Sequence, residues 1–300
     1  MVETSPSAAP VVAPVVAAPY RTEPLPDLAA WTRYFVDAEI PVLAATAQAL
    51  EELRAIEDDV DAAMLAKAIQ TDPLMSIKLL AFVAGKRKPS ILNDEGADAK
   101  TDTVTSALVM LGIAPFFRQF GPQPTLEDRL RDQPQALEAM RELLRRAERA
   151  RMFALGFAVH RADLDVDVIL QAAFLHDFAE MLLWCHAPTL ALAIHDAQSA
   201  DATLRSATIQ RSLLNIELDD LAQALMQRWR LSTLLVRLSD TRHAEQAAVR
   251  NVVLAVRVAR HTMQGWDNAA LPDDVDAIAE LLNAPPRIAL AYLHKIDRGG

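Results

Sequence analysis

Cysteine is almost absent. The 300-residue chain has one, Cys185, so no intrachain disulfide can form and the fold must hold without a covalent staple. Set in an apolar run, Cys185 reads as a packed thiol rather than a nucleophile. Glycine is scarce at eight residues, and no glycine-rich phosphate loop, nucleophile elbow or CxxC pair occurs. Aromatics make up 5% while Ala and Leu dominate, a balance that favours helix over sheet. Basic charge is in deficit, with 30 Lys and Arg against 40 Asp and Glu, a net charge of -10. Such a chain matches a phosphate backbone poorly, so nucleic acid is not an expected partner. The amino terminus has no basic region ahead of an apolar one, and no apolar run looks both long and charge-free enough to cross a bilayer. A cytoplasmic chain without membrane insertion is therefore expected.

What the chain does have is apolar residues, 52% of the total, enough for a large core. Residues 1–26 are rich in Ala, Val and Pro and are expected to form a flexible, extended tail. From Leu28 onward the apolar spacing is helical. Leu28, Trp31, Tyr34 and Phe35 share a face. Helices are predicted over Leu43–Ile56 and Ala62–Ile69, and over Leu74–Val83 with Asp72 as cap and Pro73 at its first position. Residues 85–102 form a long irregular stretch whose Lys86, Arg87 and Lys88 read as a solvated charge run. Thr103–Leu111 is predicted to stop at Gly112, and Ile113–Phe120 to continue to Gly121. A connector over residues 122–134 divides a helical half at 27–121 from a second at 122–300. That second half opens with a long charged helix over Gln135–Arg161 and carries further helices to Ile296. No stretch has strand periodicity.

The central segment is Asp165–Pro188, apolar almost all round and therefore buried. It reads as one helix. Its polar interruptions, Gln171, His176, Asp177 and Glu180, would each be costly in lipid. His176 and Glu180 lie one turn apart and could form a two-residue metal pair. No third ligand stands near them in sequence.

Four segments in order resemble one family. AKAIQTDPLMSIKLL followed by TSALVMLG, within Ala66–Gly112, is similar to an "IxxDPxLxxxLL" helix pair and the helix ending in LG. AFLHDFAEMLL at Ala173–Leu183 resembles "GLLHDIGKLLL". LNIELDDLAQALMQRWRL at Leu214–Leu231 is similar to "LGIDHAELGAALLERWGLP", with Trp229 at the tryptophan. The chain thus resembles HDOD domains, HD-related output domains of bacterial signalling, over about Leu43–His261. The resemblance implies an all-α, multi-helix bundle of two packed halves that together form one domain, and a role in signalling output.

It also implies where a metal would sit. The parent HD superfamily holds a divalent ion with an H…HD…D set, because imidazoles and carboxylates together fix an ion that activates water. Here His176-Asp177 supplies the middle dyad. The first histidine falls at Arg146 and the last aspartate at Val256. His243 matches the second member of a late His pair whose first member is Arg242. A guanidinium cannot lose its proton and would repel a cation. The expectation is no catalytic residue, no metal, no cofactor and no enzyme activity. Arg146, His176, Asp177 and His243 remain as a vestigial site in which Arg146 approaches Asp177 and takes over the ion's electrostatic role. Signalling proteins, or a second copy of the chain, are the expected partners. The alternatives are a sensor of an anionic small molecule or nucleotide using Arg146, Arg149, His176 and His243, and a degenerate phosphohydrolase.

Overall fold

A computed structural model of the protein describes residues 18–86, 101–201 and 203–299. Most of the expected tail, and most of the irregular stretch with Arg87 and Lys88, lie outside the described residues. Among the described residues every named element is a helix, and the single β-bridge pairs Val42 with Thr125. The first half contains α1 (Leu28–Asp37), α2 (Ala44–Arg54), α3 (Ala62–Ile69), α4 (Pro73–Lys86), α5 (Val104–Leu111) and α6 (Ile113–Gln119). One turn, α7 (Leu126–Arg129), leads into the long α8 (Pro134–Arg161). Then come α9 (Val166–Leu175), α10 (Phe178–His186), α11 (Pro188–Ala200), α12 (Ser206–Leu214), α13 (Leu218–Arg228) and α14 (Thr233–Leu238). The chain closes with α15 (Ala247–His261), α16 (Leu271–Leu282) and α17 (Pro286–Asp297).

The turns that set these boundaries have local chemical causes. Asp72 is fully buried and caps α4, accepting from the Met75 N–H at 2.9 Å, while its other oxygen accepts from the Leu43 N–H at 2.8 Å. One carboxylate thereby ties the start of α4 to the start of α2. Burial pushes its pKa up, only partly offset by those backbone hydrogen bonds. Gly112 has φ +81°, ending α5 and admitting α6, a backbone that glycine adopts without penalty. Lys86 places its ammonium 5.1 Å from the Phe82 ring centre.

The second half is built around α8, which packs along α15 and α9. The two halves meet where α4 packs on α9 and α10, and α1 packs on α13. Trp31 of α1 is fully buried and donates its indole N–H to the Leu214 carbonyl at 2.9 Å. Through these contacts α1 fastens the first half to the second.

Three expectations need correction. Residues 18–26 are not free. The Arg21 N–H donates to the His186 carbonyl at 2.8 Å, Arg129 donates to the Ala18 carbonyl at 2.6 Å, and the Tyr20 hydroxyl donates to the Arg129 carbonyl. The backbone there forms no helix, as its prolines dictate, but Tyr20 and Arg21 supply anchors that composition alone does not reveal. The central segment is not one helix either. It breaks at His176-Asp177, where Asp177 takes φ -94°, ψ 17°. By length and apolarity Val166–His186 would reach across a bilayer, contrary to the sequence reading. Yet 83% of its most apolar window is buried inside the protein. The break redirects the chain: α9 and α10 both touch α4 and α8, while α9 also packs on α14 and α15 and α10 on α11 and α13.

Candidate functional site

The break brings the His-Asp pair to face α8. Arg146 projects from the middle of that helix, and its Nε donates to Asp177 Oδ2 at 2.9 Å. Its Nη2 lies 2.8 Å from Asp177 Oδ2 and 2.8 Å from Glu180 Oε2. His176 Nδ1 is 3.0 Å from Asp177 Oδ1, and Arg260 of α15 stands 3.7 Å from that same oxygen. The side chains of His176 and Asp177 are largely buried. Burial opposes the charge on Asp177, but Arg146, the His176 hydrogen bond and Arg260 outweigh it and hold the carboxyl well below its ordinary pKa. Burial likewise opposes the charge on Arg146, and its two carboxylate partners raise its pKa above the usual value. The cluster is a guanidinium locked between two carboxylates, and the guanidinium cannot lose its proton.

Of the residues singled out in the sequence, Arg146, His176 and Asp177 come together. His243 does not join them. Its side chain is 53% exposed and faces Asp240 and Glu245. Arg149 does not join either, because it pairs with Asp297 at 2.7 Å and donates to Thr262 at 2.6 Å, turned toward the C-terminal helices. The four-residue anion site expected from the sequence is therefore not assembled. Glu180 was readable only as a metal partner of His176, and it binds Arg146 instead. Arg260 was missed; its signal is the one-turn spacing of Arg257 and Arg260 on the apolar α15. Cys185 is fully buried, and burial raises its thiol pKa far above the ordinary value, so it is packed and not nucleophilic.

Arg146, His176, Asp177, Glu180 and Arg260 line a cavity of about 340 Å³ bounded by α8, α10, α11, α12, α15 and the start of α13. Val256 lines it with an apolar side chain where an acidic ligand would be needed. The donor set does not fit a divalent ion. Both carboxylates that could bind one are already engaged by Arg146, whose guanidinium cannot give way by losing a proton. Among the described residues no group of three or more His, Cys, Asp or Glu is placed to hold a metal.

The HDOD domain family model matches residues 40–245. The chain belongs to the HDOD family. The tryptophan of the resemblance has a clear place in this HDOD domain: Trp229 lies 5.8 Å, ring centre to ring centre, from Phe178, the residue that follows the His-Asp break. No curated protein matches the chain. Among solved structures, the MmoQ response regulator of Methylococcus capsulatus superposes with a TM-score of 0.61 at 19% identity, covering 86% of this chain and 99% of that one. A virulence factor of Campylobacter jejuni superposes with a TM-score of 0.58 at 15% identity, covering 91% and 99%. Both are similar in fold, which makes the two-halved helical bundle of this HDOD domain a shared architecture.

Proposed function

We propose that this HDOD domain is a non-catalytic output module of bacterial signal transduction that acts through protein–protein contacts. The observation that carries the reading is the single guanidinium nitrogen 2.8 Å from both Asp177 and Glu180. A fixed positive charge stands where a metallohydrolase needs a replaceable one. Family membership and the similarity in fold to MmoQ, a response regulator, support the signalling half of the reading. The interior network then serves to hold α8, α9 and α10 in one arrangement, and the helix faces carry the recognition.

The test is a phosphodiesterase assay on the full chain with bis-(4-nitrophenyl) phosphate and Mg²⁺, Mn²⁺ or Fe²⁺, run beside a His176→Ala/Asp177→Ala double variant. Equal background rates in the two proteins are expected. Turnover present in the parent chain and lost in the variant would contradict the non-catalytic reading. Crosslinking in native lysate is expected to trap a discrete protein partner; a chain that crosslinks to nothing would contradict the contact reading.

A further inference from the structure

Residues 18–26 form a strap that joins α1 of the first half to α7 and the ends of α10 and α12 in the second. Its holds fall mostly on the backbone. Arg129 donates to the Ala18 carbonyl at 2.6 Å, and the His186 carbonyl accepts from the Arg21 N–H at 2.8 Å. Asn215, at the end of α12, donates from Nδ2 to the Leu25 carbonyl at 3.0 Å. Backbone holds of this kind set the path of a peptide and leave its sequence largely open. Pro19, Pro24 and Pro26 keep the segment out of helix. No strap residue is fully buried, and Tyr20 and Leu25 rest half-buried against the edge of the core. Another segment with an aromatic and an aliphatic side chain in those places would cover the same surface.

The strap is an imperfect occupant of its own seat. The Arg129 guanidinium stacks on the Tyr20 ring, 4.2 Å from its centre, and that of Arg21 lies 5.4 Å from the Tyr34 ring centre. Yet Arg129 Nη2 and Arg21 Nε are buried and meet no acceptor. Buried donors left without a partner are costly, the more so on a charged group. Asp132 acts on Tyr20 but reaches neither nitrogen. Both guanidiniums also bear on the Tyr34 hydroxyl, each opposing the rise that burial gives its pKa, so two like charges share one small region. A carboxylate in the place of Arg21 would remove one of those charges and bring an acceptor to the other.

We propose that the seat of this strap is a docking site for a partner protein, which enters as an extended, proline-flanked segment with an aromatic residue followed by an acidic one. The partner displaces residues 18–26. Its aromatic ring takes the place of Tyr20 on Arg129, and its carboxylate takes the place of Arg21 beside Tyr34 and Arg129. The tethered strap competes at a high effective concentration, so only a better-matched segment displaces it. This inference rests on the protein-contact reading above and gives that partner a chemistry.

Fluorescence polarisation of two labelled peptides against the full chain tests it. One has the sequence of residues 18–26, and the other is the same peptide with Arg21→Glu. The acidic peptide is expected to bind about tenfold more tightly, the scale of one charge-assisted contact. In a full chain whose strap is weakened by Tyr20→Ala/Arg21→Ala, both peptides should gain about tenfold as self-competition falls. Adding Arg129→Gln to that chain should abolish the preference for the acidic peptide. The proposal is overturned if neither peptide binds the strap-weakened chain, if weakening the strap leaves both affinities unchanged, or if the acidic peptide has no advantage, with circular dichroism showing each chain folded. A partner crosslinked in native lysate that excess acidic peptide fails to displace also overturns it, while leaving the protein-contact reading in place.

Discussion

At Arg146 one side chain holds two carboxylates on a neighbouring helix while largely buried, 18% exposed. Truncating it strands two acids. Arg146→Met is expected to cost about 3–5 kcal/mol, the range for breaking a buried pair from one side, measured as a shift in the urea midpoint. The double variant Arg146→Met/Asp177→Leu should recover part of that loss, and a double variant that is additive would show the contact to be idle. The pH dependence follows in two windows. Asp177 has its pKa depressed, so its contribution is full above about 3.9, the unfolded value, and is lost as pH falls through the native value. His186 is buried against Tyr34 and Phe35, and its Nε2 lies 2.9 Å from the Glu39 carbonyl. Burial, with Arg129 adding to it, lowers its pKa to about 4. Its contribution is present above its unfolded value and fades as pH falls from about 6.5 toward about 4. The stability-against-pH slope in that upper window should flatten in His186→Phe. An unchanged slope would mean that His186 does not set it.

At the scale of elements, the C-terminal hairpin depends on one close approach. The Tyr292 hydroxyl donates to the Gly156 carbonyl at 2.8 Å, and a Cβ added at Gly156 would lie 2.3 Å from Ile296 Cδ1. Gly156→Ala is expected to loosen α17 from α8 at a cost of about 1–3 kcal/mol, seen as faster proteolysis near the carboxyl end and relieved by Ile296→Ala. Equal cleavage rates in parent and variant would remove the contact from the account. Most helices were legible because their apolar faces repeat at 3.6 residues and their ends carry readable chemistry, as at Asp72-Pro73 and Gly112. The break at His176-Asp177 was not legible, because nothing in AAFLHDFAEMLL stops a helix locally. The turn is dictated by what surrounds it: Asp177 must reach Arg146, while α9 also packs on α14 and α15 and α10 on α11 and α13. The fastening of residues 18–26 escaped for a similar reason, since its partners, Arg129 and His186, are more than 100 positions away.

For the whole molecule, the site was only half readable. Arg146, His176 and Asp177 could be aligned from a motif, and their meeting needed only that α8 lie beside α9 and α10. His243 and Arg149 could not be placed, because which way a surface-facing side chain turns depends on packing far from it in sequence. A built-in guanidinium does the holding that a bound ion does in metallohydrolases. Metal analysis after loading the purified chain with excess Mn²⁺ and desalting it tests this substitution of guanidinium for ion. Manganese far below one ion per chain is expected, with no change in Asp177→Ala. A stoichiometric ion that is lost in Asp177→Ala would contradict it.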